Sequence, residues 1–544
     1  MTTLVGDPQN VAAWLPEMAA RQPDTLAVAA ALSPGQYQQW TAAELDAQCD
    51  RTAHGLTRAG IGKGTRTVVM LKPGPEFFAV AFALFKIGAI PVLVDPGMGI
   101  RSLGHCLNEA APTAFIGVPR AHLARQMFGW SKASLEVLIT AGPRLLWGGY
   151  KLDKLYQTAS HEAFPVDDSE PDQTAAILFT SGSTGTPKGV VYTHSTFASQ
   201  VETLRTVYGI TPGEVDLSTF PLFALFGPAL GMASVVPLMD ASRPASCDPR
   251  QLVEAIKKFS CTSMFASPAL VDKLGRHCDQ QSIRLDSLLR VISAGAPANN
   301  NALALLAEHL PADSEIFTPY GATEALPVTS IASSVILGET RDSTDLGRGA
   351  CVGTAVPGVE VAIVPISDGV MGTWRDDLRL PAGEIGEIVV RGPVVTTSYF
   401  GRPEATAMAK IPDGATTWHR MGDVGYLDEF DRLWMCGRKT HRVETDTETL
   451  FTIPCEAVFN VHRAVRRTAL VGVHGSPVLC VELEQDHTES PELSEELQRL
   501  GQTQAHTRGI EVFLYHPKFP VDVRHNTKIF RERLAVWAGE RLRA

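Results

Sequence analysis

The chain has 544 residues, too many for one ordinary domain, so a large body of several subdomains and at least one smaller unit are expected. Hydrophobic residues at 44% and charged residues at 20% exclude a mainly disordered or fibrous chain. The 48 Lys plus Arg against 59 Asp plus Glu give a net charge of -11, and without a long basic run this argues against a nucleic-acid partner. Nine scattered cysteines with no CxxC pair fit neither a disulfide framework nor a zinc ribbon, which points to a reducing compartment. The opening MTTLVGDPQN lacks a basic segment followed by an apolar one, so no signal peptide is read and a cytoplasmic location is expected.

Ala42 to Arg58 carries a helical pattern, whereas Thr67 to Leu71 and Ile90 to Val94 are β-branched apolar runs of strand length. Phe77 to Val94 is apolar enough to suggest a membrane span, but Lys86, Gly88 and Pro91 break it; it reads as a buried helix ending near Lys86, a turn and a buried strand. Between Ala175 and Val207 the order is strand, loop, second strand, then a helix capped by Ser195 with Phe197, Val201, Leu204 and Val207 on one face. After Gly383 the texture changes to short strands and turns, including a hairpin that reverses at Asp428 to Asp431. Beyond about Thr440 the pattern gives a hairpin (Arg467 to Val473, Val478 to Glu484), a helix (Glu492 to Ala505), a strand (Ile510 to Tyr515) and a final helix (Thr527 to Arg541). The fold class expected is α/β: a large N-terminal domain of sheets flanked by helices, a distal β-rich subdomain, and a small α+β C-terminal domain.

The loop between the two strands, Thr180-Ser181-Gly182-Ser183-Thr184-Gly185-Thr186-Pro187-Lys188-Gly189, concentrates hydroxyls and glycines with one lysine. Backbone N–H groups and hydroxyls can converge there on a polyanion, which makes it a candidate phosphate cradle. A Ser/Gly linker would not sit between two apolar strands, and a Walker A loop needs another glycine spacing and a following helix.

This loop resembles the signature of the adenylate-forming superfamily of acyl-CoA synthetases, peptide-synthetase adenylation domains and firefly luciferases, and further motifs follow in the family's order along essentially the whole chain. The resemblance implies ATP as cosubstrate, Mg²⁺ as metal and a carboxylic acid activated as its acyl adenylate. Within it, Ser293-Ala294-Gly295-Ala296-Pro297 is similar to the adenine-pocket turn. Tyr320-Gly321-Ala322-Thr323-Glu324 is similar to the pentapeptide in which Tyr packs on adenine, Thr meets the α-phosphate and Glu ligates Mg²⁺. His419 to Asp423 resembles the ribose motif, with Asp423 accepting from the ribose hydroxyls and Arg438 of Gly437-Arg438-Lys439 joining it. Gly383 to Glu387 and Arg391 to Pro393 match a stretch read as structural. The resemblance further implies a pivot between domains at Thr440, dividing the chain into residues 1–439 and a mobile 440–544, and Pro520 to Ile529 is similar to the family's last motif, which brings Lys528 as the lysine of the adenylation step. As isolated features, Thr323 and Glu324 would read as ordinary capping residues at a helix start.

Two departures from the family narrow the expectation. Phe220 to Phe226 puts Ala224 where acyl-CoA synthetases carry a His, and Thr447 stands where a glycine borders the pantetheine tunnel. Together with the Arg524-His525-Asn526-Thr527-Lys528 ending they resemble a β-lactone-forming branch from bacterial long-chain olefin biosynthesis. That branch implies a long-chain 2-alkyl-3-hydroxy acid as substrate and possible assembly with other olefin-biosynthesis enzymes. A tethered hydroxyl has a high effective concentration and can replace an external thiol. His194, His419 and His441 are candidates for its base by residue type only, and Leu222 to Met232 is expected in the acyl-pocket wall. The alternatives are a fatty-acyl-CoA synthetase or acyl-AMP ligase, and a silent nucleotide-binding subunit of an assembly.

Overall fold

The structure is a computed structural model that describes residues 10–95, 98–180, 187–241, 243–297, 299–521 and 529–543. Apolar runs of strand length pair in parallel and are covered by helices, as all-buried strands require. A seven-stranded sheet has the spatial order Tyr150–Lys151, Val137–Thr140, Ala114–Gly117, Arg66–Met70, Ile90–Val94, Thr174–Thr180, Lys188–Thr193. Only its last pair is antiparallel, with Phe179 opposite Gly189 and Thr180 opposite Lys188. A nine-stranded sheet has parallel strands inside and antiparallel pairs at both edges. Toward one of those edges, inside the short strand Thr354–Ala355, lies the hairpin Glu315–Ala322 and Ala325–Ala332. A six-stranded antiparallel sheet follows, including Gly386–Arg391, Thr416–Leu427 and Leu433–Arg438. The chain ends in a three-stranded sheet, Val465–Val473, Ser476–Leu483 and Val512–Tyr515, packed with helices.

The apolar segment 77–94 is the helix Pro75–Ile87, stopped by Gly88 at φ 74°, and the strand Ile90–Val94. Lys86 is 2% exposed inside the core and lies 2.6 Å from Asp46 and 2.5 Å from Asp50, the pairing a buried cation requires. Among the described residues no helix is long and apolar enough to cross a membrane. All nine cysteines are buried and none is paired. Buried apolar clusters fall on one side or the other of residue 440, and among the described residues none crosses it.

Several local expectations are corrected. The helix His194–Tyr208 is capped by Thr193, whose side chain accepts from the Thr196 N–H, and not by Ser195. The last helix is Arg531–Arg541; the expected start at Thr527 lies outside the described residues, and Ile529 before the helix is held in an antiparallel bridge to Val521. A helix at Thr452–Asn460 went unread: it buries residues on most sides and carries Pro454 in its first turn, so it shows no 3.6-residue period. Thr323 and Glu324 form the tip of a β-hairpin, so the reading of them as capping residues at a helix start does not apply.

Candidate functional site

Strand ends and hairpin tips from the three large sheets converge on one cavity of about 2540 Å³, bounded on its far side by the C-terminal unit. Lys188, Gly295, Ala296, Pro297, Tyr320, Gly321, Thr323, Glu324, Asp423 and Arg438 all line it. Thr180 ends its strand, and its side chain lies outside the described set. Ser181, Gly182, Ser183, Thr184, Gly185, Thr186 and Lys528 also lie outside the described residues, but the flanks of the last segment, Val521 and Ile529, both line the cavity.

Residues 294–297 leave the strand Arg290–Ser293 through Gly295 at φ 100°, a backbone shape that L side chains rarely adopt. At Gly321 a β-carbon would come within 2.7 Å of the Ala325 carbonyl oxygen, so only glycine lets this hairpin close and aim its tip into the cavity. The tip is pinned from two sides. Tyr192 Oη donates to the Thr323 carbonyl at 2.5 Å, and the Thr396 N–H and hydroxyl donate to the Glu324 carbonyl at 2.9 and 3.0 Å. The Glu324 carboxylate accepts at Oε1 from Tyr399 Oη at 2.7 Å. Lys188 Nζ lies 4.9 Å from the centre of the Tyr399 ring, a cation–π geometry.

On the opposite wall, Asp423 is buried and both its oxygens are engaged: Tyr320 Oη donates to Oδ2 at 2.7 Å, and Arg438 Nη1 is 2.8 Å from Oδ1. Burial, followed by the Asp423 charge, pushes the Tyr320 hydroxyl well above its ordinary range, and the Asp423 charge raises the Arg438 guanidinium. Three basic groups near the tip are held toward their neutral forms. Burial lowers Lys188 with partial offset from Glu324, takes Lys410 down to about 7, and drives His419 well below its usual value. Lys410 donates to the Thr396 carbonyl, behind the tip. A polyanion entering this site would find donors and restored positive charge, since a nearby negative charge favours protonation.

Of the candidate bases, His419 and His441 line the cavity. His194 does not: its Nδ1 accepts from the Val11 N–H at 3.3 Å, anchoring the N-terminal segment. Ala224 is buried in the main core and Thr447 is exposed on a turn between the short strands Val443–Glu444 and Thr449–Leu450. Leu222, Phe223, Leu225, Phe226 and Ala229 line the cavity as expected of that segment, while Met232 packs behind them. Sequence reasoning missed Tyr399, Tyr192 and Thr396, whose contacts span 72 to 131 residues and leave no local signal. It also read Glu387 as structural only. Glu387 is buried, lies on the cavity wall, pairs with Arg420 at 2.6 Å and sits 3.2 Å from Lys439 beside the expected pivot.

A hairpin-tip carboxylate, a buried carboxylate–guanidinium pair and a glycine turn gathered on one cleft are the arrangement of an enzyme that handles a nucleotide, and residues 15–400 match the family described as AMP-binding enzyme. The chain belongs to that family of adenylate-forming enzymes. Over 98% of its length it is 48% identical to an olefin beta-lactone synthetase of Stenotrophomonas maltophilia, covering 99% of that protein. It is also 48% identical to the olefin beta-lactone synthetase of Xanthomonas campestris pv. campestris over 99% of this chain and 98% of the relative. The fold is shared with the amide bond synthetase McbA from Marinactinospora thermotolerans, at TM-score 0.79 and 24% identity over 97% of this chain and 99% of that one. It is shared likewise with ATP-bound MatB from Rhodopseudomonas palustris, at TM-score 0.80 and 21% identity over 98% and 99%.

Proposed function

We propose that this protein uses ATP to convert the carboxylate of a long-chain 2-alkyl-3-hydroxy acid into an acyl adenylate, and then closes it to a β-lactone with release of AMP. The observation that carries the reading is the 48% identity to olefin beta-lactone synthetases along the whole chain, the C-terminal unit included. The cavity supports it, because a long apolar wall adjoins the adenylate-forming motifs.

In the first step a carboxylate oxygen bonds to the α-phosphorus of ATP while the bond from that phosphorus to pyrophosphate breaks. Thr180 to Thr186 and Lys188 hold the phosphates, residues 295–297 and Tyr320 with Gly321 flank adenine, and Asp423 with Arg438 meet the ribose. Thr323 faces the α-phosphate, and Lys528 answers the charge that grows on the phosphorus oxygens. Glu324 would hold Mg²⁺, whose chemistry is to neutralise phosphate charge. Its carboxylate keeps lone pairs beyond the one taken by Tyr399, and no cluster of three metal-ligating side chains occurs among the described residues, so phosphate oxygens and water would complete the shell. In the second step the 3-hydroxyl oxygen bonds to the acyl carbon, the acyl–phosphate C–O bond breaks, AMP leaves, and the hydroxyl proton passes to a base. His419 and His441 are the imidazoles at hand, and burial holds both below their ordinary value, in the neutral form that accepts a proton. Assembly with other olefin-biosynthesis enzymes belongs to the same reading.

Mass spectrometry of products from ATP, Mg²⁺ and a long-chain 2-alkyl-3-hydroxy acid tests it. AMP and a product lighter by one water are expected without coenzyme A, and the same acid lacking the 3-hydroxyl should stall as bound acyl-AMP. Acyl-CoA formed in place of the lactone, with AMP release accelerated by coenzyme A, would replace this reading with that of an acyl-CoA synthetase.

A further inference from the structure

The cavity has an apolar arm far in sequence from the nucleotide motifs. It lies at the C-terminal ends of the parallel strands Arg66–Met70, Ile90–Val94 and Ala114–Gly117, where Met70, Val94, Met98, Leu103, Val118 and Trp130 line it. Its outer wall is the helix Pro119–Phe128, which contributes Arg120, Ala121 and Ala124. At 100° per residue, Leu123 and Met127 continue the face that Arg120 and Ala124 turn to the cavity, and both are exposed, Met127 at 68%. Phe128 at the end of the helix is exposed as well. Residues 142–149 are seated on the same helix through the Trp147 indole, stacked on His122 at 5.3 Å, and they hold out Leu145 and Leu146, the latter 97% exposed.

Five large apolar side chains bare to solvent on one helix and the segment seated on it are more than scattered surface residues. Their surroundings have a distinct charge. Segment 119–149 carries Arg120, Arg125, Lys132 and Arg144 against Glu136 as its one acid, in a chain whose net charge is -11. Protruding apolar side chains among cations suit an interface that is apolar inside and anionic at its surface, and they oppose the rest of this acidic molecule.

We propose that the exposed face of helix Pro119–Phe128 and segment 142–149 form a docking surface for an anionic lipid bilayer, on the helix whose other face walls the apolar arm. Docking there lets a long-chain acid pass from lipid into the arm without crossing water; this use of the surface rests on the function proposed above, whereas docking itself does not. The absence of a spanning helix among the described residues is compatible with it, because binding of this kind is peripheral.

The test is co-sedimentation of the full-length protein with sucrose-loaded vesicles of phosphatidylcholine alone, or of phosphatidylcholine with phosphatidylglycerol. Binding is expected only to the anionic vesicles and should weaken in high salt. The variant L123D/M127D/L145D/L146D should bind at least ~10-fold less while keeping ATP–pyrophosphate exchange with a short, water-soluble acid, a readout that also shows it is folded. Equal binding of wild type and variant would overturn the proposal. So would wild type that ignores anionic vesicles but self-associates through this face, with the variant monomeric. Vesicle binding with no lactone formed from any hydroxy acid would sink the proposed reaction and leave the docking surface standing.

Discussion

Charge placement at single residues decides whether this cavity can make an adenylate. In the proposed reaction Lys528 acts on charge that develops only as pyrophosphate departs, so Lys528→Ala should leave ATP binding largely intact and lower kcat for adenylation by roughly 100-fold or more. Near-normal ATP–pyrophosphate exchange in that variant would remove Lys528 from the chemistry. Tyr399 is a subtler case. Its hydroxyl fixes one oxygen of Glu324 at 2.7 Å and thereby turns the carboxylate toward the cavity. A hydrogen bond to a charged group is worth about 1.5 kcal/mol or more, so Tyr399→Phe should raise the Mg²⁺ concentration for half-maximal activity roughly tenfold. An unchanged Mg²⁺ titration would mean that Glu324 is not the metal's carboxylate. The pairing of Tyr320 and Arg438 on Asp423 could not be read from spacing: the motif names the residues, but the 103-residue contact is made only when the hairpin tip meets the six-stranded sheet.

Elements of regular pattern were legible, and elements shaped by their neighbours were not. The hairpin Thr174–Thr180 and Lys188–Thr193 announces itself because its strands are apolar and its loop is not. The helix Thr452–Asn460 is silent, since contacts on most sides erase the stripe that marks a surface helix. His194 shows how an element's terminus acquires a role invisible in sequence. At the start of the helix His194–Tyr208 it is buried and receives the Val11 N–H, and the N-terminal segment it anchors brings Val11 and Trp14 to the cavity wall. Burial lowers its pKa to about 4, against partial opposition from the Asp167 charge. A basic group with a depressed folded pKa stays neutral in the folded state, while the unfolded state takes up a proton below about 6.5. Its contribution is therefore complete above pH 6.5 and is lost as pH falls toward 4, by about 2 kcal/mol at pH 5. His194→Gln keeps an acceptor for Val11 and removes the titration. Its urea midpoint should fall less between pH 7 and pH 5 than that of the wild type, and parallel falls would place the acid sensitivity elsewhere.

At the scale of the whole molecule, apolar clusters that stop on either side of residue 440 give physical content to the boundary expected there. The C-terminal clusters around Phe459, Leu470 and Leu497, and around Ala469, Phe519 and Leu534, draw only on residues beyond that point. Across that boundary the ion pair is Arg442 with Asp368, 2.7 Å apart, and the Asp368 side chain is exposed. Ion pairs with an exposed partner contribute little and exchange readily with water, whereas a shared apolar core would resist separation. We propose on this basis that residues 1–439 and 440–544 fold as separate units and that the second moves about Thr440. The fragment 1–439 retains Tyr320, Glu324, Asp423 and Arg438, and lacks Lys528. It should unfold cooperatively and bind ATP within about threefold of the intact protein's affinity, because the ribose and adenine contacts proposed above are local to it. Its ATP–pyrophosphate exchange should fall to the level of Lys528→Ala, since both lack the same charge in the transition state. Calorimetry and exchange assays on the fragment check the two claims separately. An aggregated or molten 1–439 would show that the C-terminal unit completes its core, and exchange well above the Lys528→Ala level would show that adenylation does not require the mobile lysine.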